Sequence, residues 1–194
     1  MDEWDVDLLS MSAHKLYGPK GIGALFIRGG TSAIPMEPIW YGGGQENGLR
    51  SGTSNVPSIV GFGEACYICQ NELGAEIQRI QGFRDALETE LRLAIPALKI
   101  NGSGVDRLPN TSSLAFPGVD ADALILNARQ LMMGTGSACT SGAVEPSHVL
   151  TAIGLSRDDA SSTIRISLGR FTAQNEISLV ESQIRESYQK LFAQ

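Results

Sequence analysis

Two short apolar runs near the start of the chain flank a segment of polar residues and glycines. We predict strands over residues 5–11 and 23–28, and we expect the run Val6–Met11 to be buried, because most of its residues are apolar. Between the runs stands Ser-Ala-His-Lys-Leu-Tyr-Gly-Pro, residues 12–19. Gly-Pro and the glycines that follow predict a turn that carries the polar side chains at the end of a strand.

A helical pattern dominates the middle of the chain. Apolar residues recur every three or four positions from Asn55 to about Ala94, which predicts an amphipathic helix. Pro57 lies in its first turn and Pro96 ends it. We expect the helix to leave one domain and enter another, with the boundary near residue 72.

Short alternating elements follow this helix. They predict a small α/β domain, because two or three strands with flanking helices bury one common core. The predicted strands cover residues 97–100, 111–116, 131–133 and 162–168, and the predicted helices cover residues 120–128, 146–153 and 175–192.

Composition excludes several classes of protein. The 194 residues carry a formal net charge of -6, which argues against binding to nucleic acid or to anionic membranes. No apolar run approaches the roughly 20 residues of a membrane helix. The acidic N-terminus is unlike a secretory signal. Three cysteines, an odd number, favour a reducing cytoplasm over a disulfide framework.

The segment between the two predicted strands, residues 12–22, contains Lys15 and is called the lysine turn here. It carries a specific combination of groups. Ser12 and His14 are two residues apart, so in extended chain both would point to the same side and donate to one anion. A lysine such as Lys15, held near apolar walls, can lose its proton and form a Schiff base with a carbonyl compound. Pyridoxal phosphate needs an amine for its aldehyde and donors for its phosphate.

Two further residues suggest chemistry in the second half of the chain. Cys139 lies among glycine, serine, alanine and threonine rather than in an apolar run, so we expect an accessible thiol. Arg165 lies in an alternating apolar strand, where its charge needs a partner, and a guanidinium binds a carboxylate with two hydrogen bonds. Arg170 is the alternative candidate for binding the carboxylate, and its competing interpretation is a structural ion pair.

Other candidates have plainer interpretations. Cys66 and Cys69 form a C-x-x-C pair without a second pair at zinc spacing, so we predict small side chains on a packed helix face. His148 belongs to no motif, and we interpret it as structural. Arg50 has an ion pair as its default interpretation.

Several motifs resemble one family. The segment S-A-H-K-L-Y-G-P-K-G-I-G-A-L resembles the cofactor-lysine segment of NifS/IscS-type cysteine desulfurases, in the class V aminotransferase family. The resemblance runs from Val6 to about Leu168. It continues, in order, through residues 42–46 (GGGQE), 50–53 (RSGT), 136–141 (GSACTS) and 164–171 (IRISLGRF).

The resemblance implies a fold and a domain division. We expect an α/β protein of the fold type I pyridoxal-phosphate-dependent transferases, represented by its C-terminal portion. Residues 1–72 would be the remnant of the large domain that binds the cofactor, and residues 73–194 the small domain with the cysteine loop. In that family a large domain of half length precedes the lysine, so the chain resembles a fragment or one subunit of a split protein.

Residue roles also follow from the resemblance. Lys15 would hold pyridoxal phosphate, with Ser12 and His14 at its phosphate. Thr53 matches a threonine that reaches the cofactor phosphate of the other subunit in a homodimer. Arg165 would hold the substrate carboxylate, and Cys139 would be the sulfur acceptor, in a loop like that of the branch that serves iron–sulfur scaffolds.

The implied function is removal of sulfur from L-cysteine, giving L-alanine and a persulfide on Cys139. The persulfide sulfur would pass to a sulfur acceptor or iron–sulfur scaffold protein. Cys139 would contact an iron–sulfur cluster through its persulfide, and no other metal site is expected. The implied assembly is a homodimer or a complement with an N-terminal half. Two alternatives stay open: a cofactor-free truncated domain that carries sulfur or binds a partner, and a selenocysteine lyase or other class V relative.

Overall fold

The computed structural model describes residues 2–135 and 146–193 and divides the chain into two compact units, Met1–Leu73 and Gly74–Gln194. The assignment of these units to a large-domain remnant and a small domain stays a prediction. The helices are α1 (Val56–Ala94), α2 (Ala121–Asn127), α3 (His148–Ala152), α4 (Arg157–Ser161) and α5 (Gln174–Phe192). The strands are β1 (Leu8–Ser12), β2 (Gly23–Ile27), β3 (Lys99–Ile100), β4 (Thr111–Ala115) and β5 (Thr163–Ser167).

A two-stranded antiparallel sheet organises the first unit. β1 pairs with β2 in a register that sets Leu8 opposite Ile27 and Ser12 opposite Gly23. The side chains of β1 alternate between exposed and half-buried, so the prediction that the run Val6–Met11 is buried was wrong. In β2 the side chains of Phe26 and Ile27 lie on opposite faces and both are half-buried, so each face of the pair is only partly covered.

The second unit is built on a three-stranded antiparallel sheet with the order β3-β4-β5. In its core, this sheet packs against helices α2 and α5 and against the C-terminal part of α1. Burying these side chains stabilises the unit at about 25 cal/mol for each Å² of apolar surface. The fully buried side chains include Leu87, Leu91, Leu114, Phe116, Leu124, Ile164 and Ile184.

Most predicted elements of the second unit are present. Asp120 caps α2 as predicted, since its carboxylate accepts the Ala123 N–H at 3.0 Å. The strand predicted over residues 131–133 was wrong, because Gly134 alone pairs there, as an isolated bridge to Arg165. Helix α4 was not predicted; the Ser156 hydroxyl caps it by accepting the Asp159 N–H.

A polar network is buried beneath the sheet of the second unit. Glu88 of α1 accepts two hydrogen bonds from Arg107, at 2.8 and 2.9 Å, and one from the Ser112 hydroxyl at 2.7 Å. Burial acts to raise the pKa of Glu88, but these hydrogen bonds and the charges of Arg107 and Arg84 outweigh it and hold that pKa below its usual value. The network therefore attaches the loop that precedes β4, through Arg107, to Glu88 of α1.

Candidate functional site

Lys15 lies in a short 3₁₀ helix, Ala13–Leu16, directly after β1. The Ala13 N–H donates to the Ile22 carbonyl at 3.1 Å, and the Gly18 N–H donates to the Ala13 carbonyl at 2.9 Å. Tyr17 adopts a left-handed backbone with φ 63°, which closes the turn. A Cβ on Gly23 would collide with the Met11 carbonyl oxygen, so the glycine permits the close pairing of β1 and β2 there.

The side chains of Ser12, His14 and Lys15 are all exposed. Ser12 is extended, with φ -116° and ψ 123°, but the helical turn begins at the next residue. The argument that Ser12 and His14 share a side in extended chain was therefore wrong. Their joint binding of an anion stays a prediction that rests on the resemblance alone. The Lys15 side chain is exposed, so the described residues do not enclose it in apolar walls.

Thr53 belongs to a loop that other parts of its unit hold in place. The Ser51 hydroxyl donates to the Trp40 carbonyl at 3.1 Å, and the Gln45 side-chain oxygen accepts the Gly52 N–H at 3.1 Å. Gly52 has φ +105°, a conformation that favours glycine. Arg50, interpreted from the sequence as an ion-pair residue, donates to the Ser51 carbonyl at 3.0 Å.

An open cavity of about 1010 Å³ lies in the first unit. Its wall includes apolar side chains of β1 and β2 together with Trp40, Arg50 and Thr53. Ser12, His14 and Lys15 are not among its lining residues. The structure therefore brings Arg50 and Thr53 to one cavity, whose wall also includes Gly21 and Ile22 at the end of the lysine turn.

Arg165 lies in β5 of the second unit and has an unusual side chain. Its Nε is buried and has no hydrogen-bond partner among the described residues. A buried donor of a charged group is costly unless an acceptor pairs with it. Its backbone is paired on both sides. On one side it lies opposite Ser113 of β4, and on the other it exchanges two hydrogen bonds with Gly134, at 3.2 and 2.6 Å.

Arg170, the rival of Arg165, lies in the turn after β5. Its carbonyl accepts a hydrogen bond from the Arg79 guanidinium at 2.8 Å, and the Thr172 carbonyl accepts another at 2.7 Å. Arg79 also pairs with both carboxylate oxygens of Glu76, each at 3.0 Å. The Arg79 guanidinium therefore holds the turn after β5 through the backbone carbonyls of Arg170 and Thr172.

Cys139 lies outside the described residues, as do the other positions from 136 to 145. Cys66 is exposed and Cys69 is half-buried, so the predicted packing of the pair on a helix face was wrong for Cys66. Among residues 2–135 and 146–193, no group of three histidine, cysteine or acidic side chains has the geometry to hold a metal ion. His148 is exposed at the start of α3.

Three residues of these segments received no role from the sequence: Gln45, Ser51 and Gly134. The first two hold the Thr53 loop, and Gly134 binds the backbone of Arg165. A glycine triplet before Gln45 was the one available signal for the loop. Gly134 gave no signal, since a single bridged residue leaves no periodic pattern.

Comparison with known proteins decides the family. The profile described as aminotransferase class-V matches residues 1–180. The chain belongs to this family. The predicted resemblance to NifS/IscS-type enzymes is confirmed at the same time. The protein is 42% identical over 191 residues to a cysteine desulfurase IscS from Anaeromyxobacter sp., an alignment that covers 98% of this chain and 47% of the relative.

A mitochondrial cysteine desulfurase from Arthroderma benhamiae is also 42% identical, over 96% of this chain and 37% of its own length. A solved structure described as a NifS-like protein superposes with a TM-score of 0.85 at 34% identity, covering 98% of this chain and 48% of that one. This likeness confirms the predicted α/β fold of the C-terminal portion of a fold type I transferase. The chain spans about half the length of the curated relatives it matches.

No helix within residues 2–135 and 146–193 has both the length and the apolar character that a membrane span requires.

Proposed function

We propose that this chain is the lysine- and thiol-bearing part of a pyridoxal-phosphate-dependent cysteine desulfurase. The observation that carries the proposal is the buried, unpaired Nε of Arg165, in a chain whose relatives are named cysteine desulfurases. A carboxylate of an amino-acid substrate would satisfy this guanidinium with two hydrogen bonds. L-cysteine is the proposed substrate because of those relatives' names.

The residue types of the lysine turn match the needs of pyridoxal phosphate, since they include an amine for its aldehyde and hydrogen-bond donors for its phosphate. When bound, the cofactor supplies an aldehyde that reacts with amines and a ring that withdraws electrons from the substrate Cα. The exposed Lys15 amine would bind the aldehyde, and the side chains of Ser12 and His14 would donate to the phosphate. Thr53, on the wall of its own cavity, would serve the phosphate of a second subunit in a homodimer.

Each residue then has one task in the reaction. Arg165 orients the substrate by its carboxylate. Lys15, once its amine is free, moves the proton of the substrate Cα. The Cys139 thiolate attacks the substrate sulfur, so that a sulfur–sulfur bond forms as the carbon–sulfur bond breaks. The electron pair of the broken bond stays with the substrate carbon, which takes up a proton to give alanine. The products are alanine and a persulfide on Cys139, which a sulfur acceptor or iron–sulfur scaffold protein would receive. We place this chemistry in the reducing cytoplasm, which keeps thiols free.

Alanine release tests the proposal. The chain is incubated with pyridoxal phosphate, L-cysteine and a reductant, and alanine is measured. The matched pair is Arg165→Lys and Arg170→Lys, which retain the positive charge but remove the planar guanidinium. We expect Arg165→Lys to raise KM at least about tenfold through loss of the bidentate contact, and Arg170→Lys to leave KM unchanged. Equal KM values for both variants would contradict the role of Arg165.

A second candidate is favoured by the exposure of Lys15 and by its position outside the cavity wall. The chain would then carry sulfur on Cys139 without cofactor and without catalysis. It would accept sulfane sulfur from a supplied persulfide, and Cys139→Ser would abolish this labelling. Alanine release that requires Lys15 would exclude this candidate, and labelling without any alanine release would favour it.

A further inference from the structure

The turn that follows Lys15 packs directly on helix α1. Gly18 and Pro19 lie against Gly61 and Ala65, which are four residues apart and so share one face of the helix. All four residues belong to the first unit. Ala65 is 7% exposed, and Ala13, at the start of the lysine turn, is completely buried. The contact therefore lies inside the packed part of this unit.

The clearance at this contact is too small for any side chain at Gly61. A Cβ built on Gly61 would lie 2.7 Å from Pro19 Cγ and 3.2 Å from Pro19 Cδ. On the opposite side, a Cβ built on Gly18 would lie 3.3 Å from the Ala65 methyl carbon. Gly63, two residues further along the same helix, has no atom within 4 Å of an added Cβ.

The turn that rests on this contact is held in a costly conformation. Tyr17 has a left-handed backbone although it is not glycine, and such a residue persists only where the surroundings hold it. The hydrogen bond from the Gly18 N–H to the Ala13 carbonyl encloses Lys15 between its two ends. The position of Gly18 and Pro19 on α1 therefore determines the position of the Lys15 backbone.

We propose that Gly61 and Ala65 form a seat on α1 for the Gly18–Pro19 turn, and that this seat positions the Lys15 amine for its carbonyl partner. Gly61 is accordingly a positioning residue, since it acts on the lysine turn through Pro19. The proposal rests on the proposed function for the identity of that partner, pyridoxal phosphate. The seat itself is a packing feature, so it has a test without cofactor.

The test compares Gly61→Ala with Gly63→Ala in the full chain. Both replace an α1 glycine by alanine and give the same gain in helix propensity, but only the first forces a contact with Pro19. The first measurement is hydrogen exchange of the Ala13 and Gly18 amides without cofactor. We expect Gly61→Ala to accelerate this exchange about tenfold, in line with the effect of overpacking, and Gly63→Ala to leave it unchanged.

The second measurement is capture of pyridoxal phosphate. The Lys15 adduct is trapped with borohydride and quantified by peptide mass spectrometry against Lys20, the exposed lysine of the same turn. We expect Gly61→Ala to lower the ratio of Lys15 to Lys20 adduct about tenfold through displacement of the amine, whereas Gly63→Ala keeps the ratio of the parent chain. A loss of global stability alone would affect both lysines together.

Rescue provides the decisive comparison. Pro19→Ala removes the two ring carbons that a new Cβ at Gly61 would meet. In the double variant Gly61→Ala/Pro19→Ala we therefore expect both readouts to return toward those of Pro19→Ala alone, a coupling that independent sites would not show. If Gly61→Ala does not fold by circular dichroism, Ala65→Gly replaces it, with Ala75→Gly on the exposed side of the same helix as control.

The outcomes separate the seat from the proposed function. Equal exchange in the Gly61 and Gly63 variants, or in the two Ala→Gly variants, overturns the seat. Faster exchange with an unchanged Lys15 ratio overturns its positioning role. Faster exchange and rescue in a chain where Lys15 captures no pyridoxal phosphate supports the seat and contradicts the cofactor assignment of Lys15.

Discussion

Gly134 and Arg165 exchange two backbone hydrogen bonds, from the Gly134 N–H to the Arg165 carbonyl at 3.2 Å and from the Arg165 N–H to the Gly134 carbonyl at 2.6 Å. The pairing extends the sheet of the second unit by one residue beyond β5. Arg165 is the proposed carboxylate ligand, and Gly134 stands five residues before Cys139 in the sequence. One backbone bridge thus joins the strand of the proposed substrate residue to the chain that leads to the proposed thiol.

Removing the Gly134 N–H should weaken this bridge. Gly134→Pro deletes the donor, whereas Gly134→Ala retains it. We expect Gly134→Pro to accelerate exchange of the Arg165 amide, with a loss of about 1 kcal/mol of local stability, the typical contribution of one hydrogen bond. Hydrogen exchange followed by mass spectrometry measures it. The bridge would be unimportant if the proline and alanine variants exchanged at equal rates.

Glu88 should make the stability of the second unit depend on pH. Its pKa in the folded chain lies below its ordinary value of 4.5, because hydrogen bonds from Arg107 and Ser112 outweigh its burial. Its stabilisation is therefore complete above about pH 4.5 and is lost as the pH falls through the lower, folded value. We expect the free energy of unfolding to decrease over that acidic range.

Glu88→Gln tests this dependence because it keeps the shape and removes the charge. We expect a loss of about 2–3 kcal/mol at neutral pH, since the variant leaves the Arg107 guanidinium without its ion pair, and a flatter pH profile below 4.5. Denaturant unfolding at several pH values measures both. Glu90→Gln, on the exposed side of the same helix, is the control and should retain the parent profile.

Arg79 should hold the turn after β5. Its guanidinium donates to the carbonyls of Arg170 and Thr172 while it pairs with Glu76, a geometry that a lysine ammonium cannot reproduce. We expect Arg79→Lys to destabilise the unit by about 1–2 kcal/mol and to accelerate exchange of the Thr172 amide. Arg92→Lys, at an exposed position of α1, should do neither. Equal exchange of the Thr172 amide in the Arg79→Lys and Arg92→Lys variants would show that the turn does not depend on Arg79.

The local signals in the sequence predicted most elements because each has a short-range cause. Asp120 was recognised as a cap since its carboxylate needs only a nearby N–H, and α1 was recognised from its spacing of apolar residues. The helical turn at Ala13–Leu16 was missed because four residues are too few to show a period. Ser156 and Asp159 did carry a capping signal for α4, which the neighbouring strand pattern obscured.

The relationships within the candidate site depend on contacts distant in sequence, which no local pattern encodes. Residue chemistry suggested Lys15 and Arg165 as candidates, and the resemblance added Thr53. The cavity at Thr53, the unpaired Nε of Arg165 and the support of the lysine turn by Gly61 came only from the structure. Exposure of Cys66 was also unpredictable, because helical spacing does not say which side of a long helix is covered.

The proposed desulfurase function depends most on the capture of pyridoxal phosphate by Lys15. Its direct test is the visible absorption spectrum of the purified chain with added cofactor, beside Lys15→Ala and the matched control Lys20→Ala. We predict the band of lysine-bound pyridoxal phosphate in the parent chain and in Lys20→Ala, and its loss in Lys15→Ala. A band of equal intensity in Lys15→Ala, or no band in the parent chain, would contradict the account.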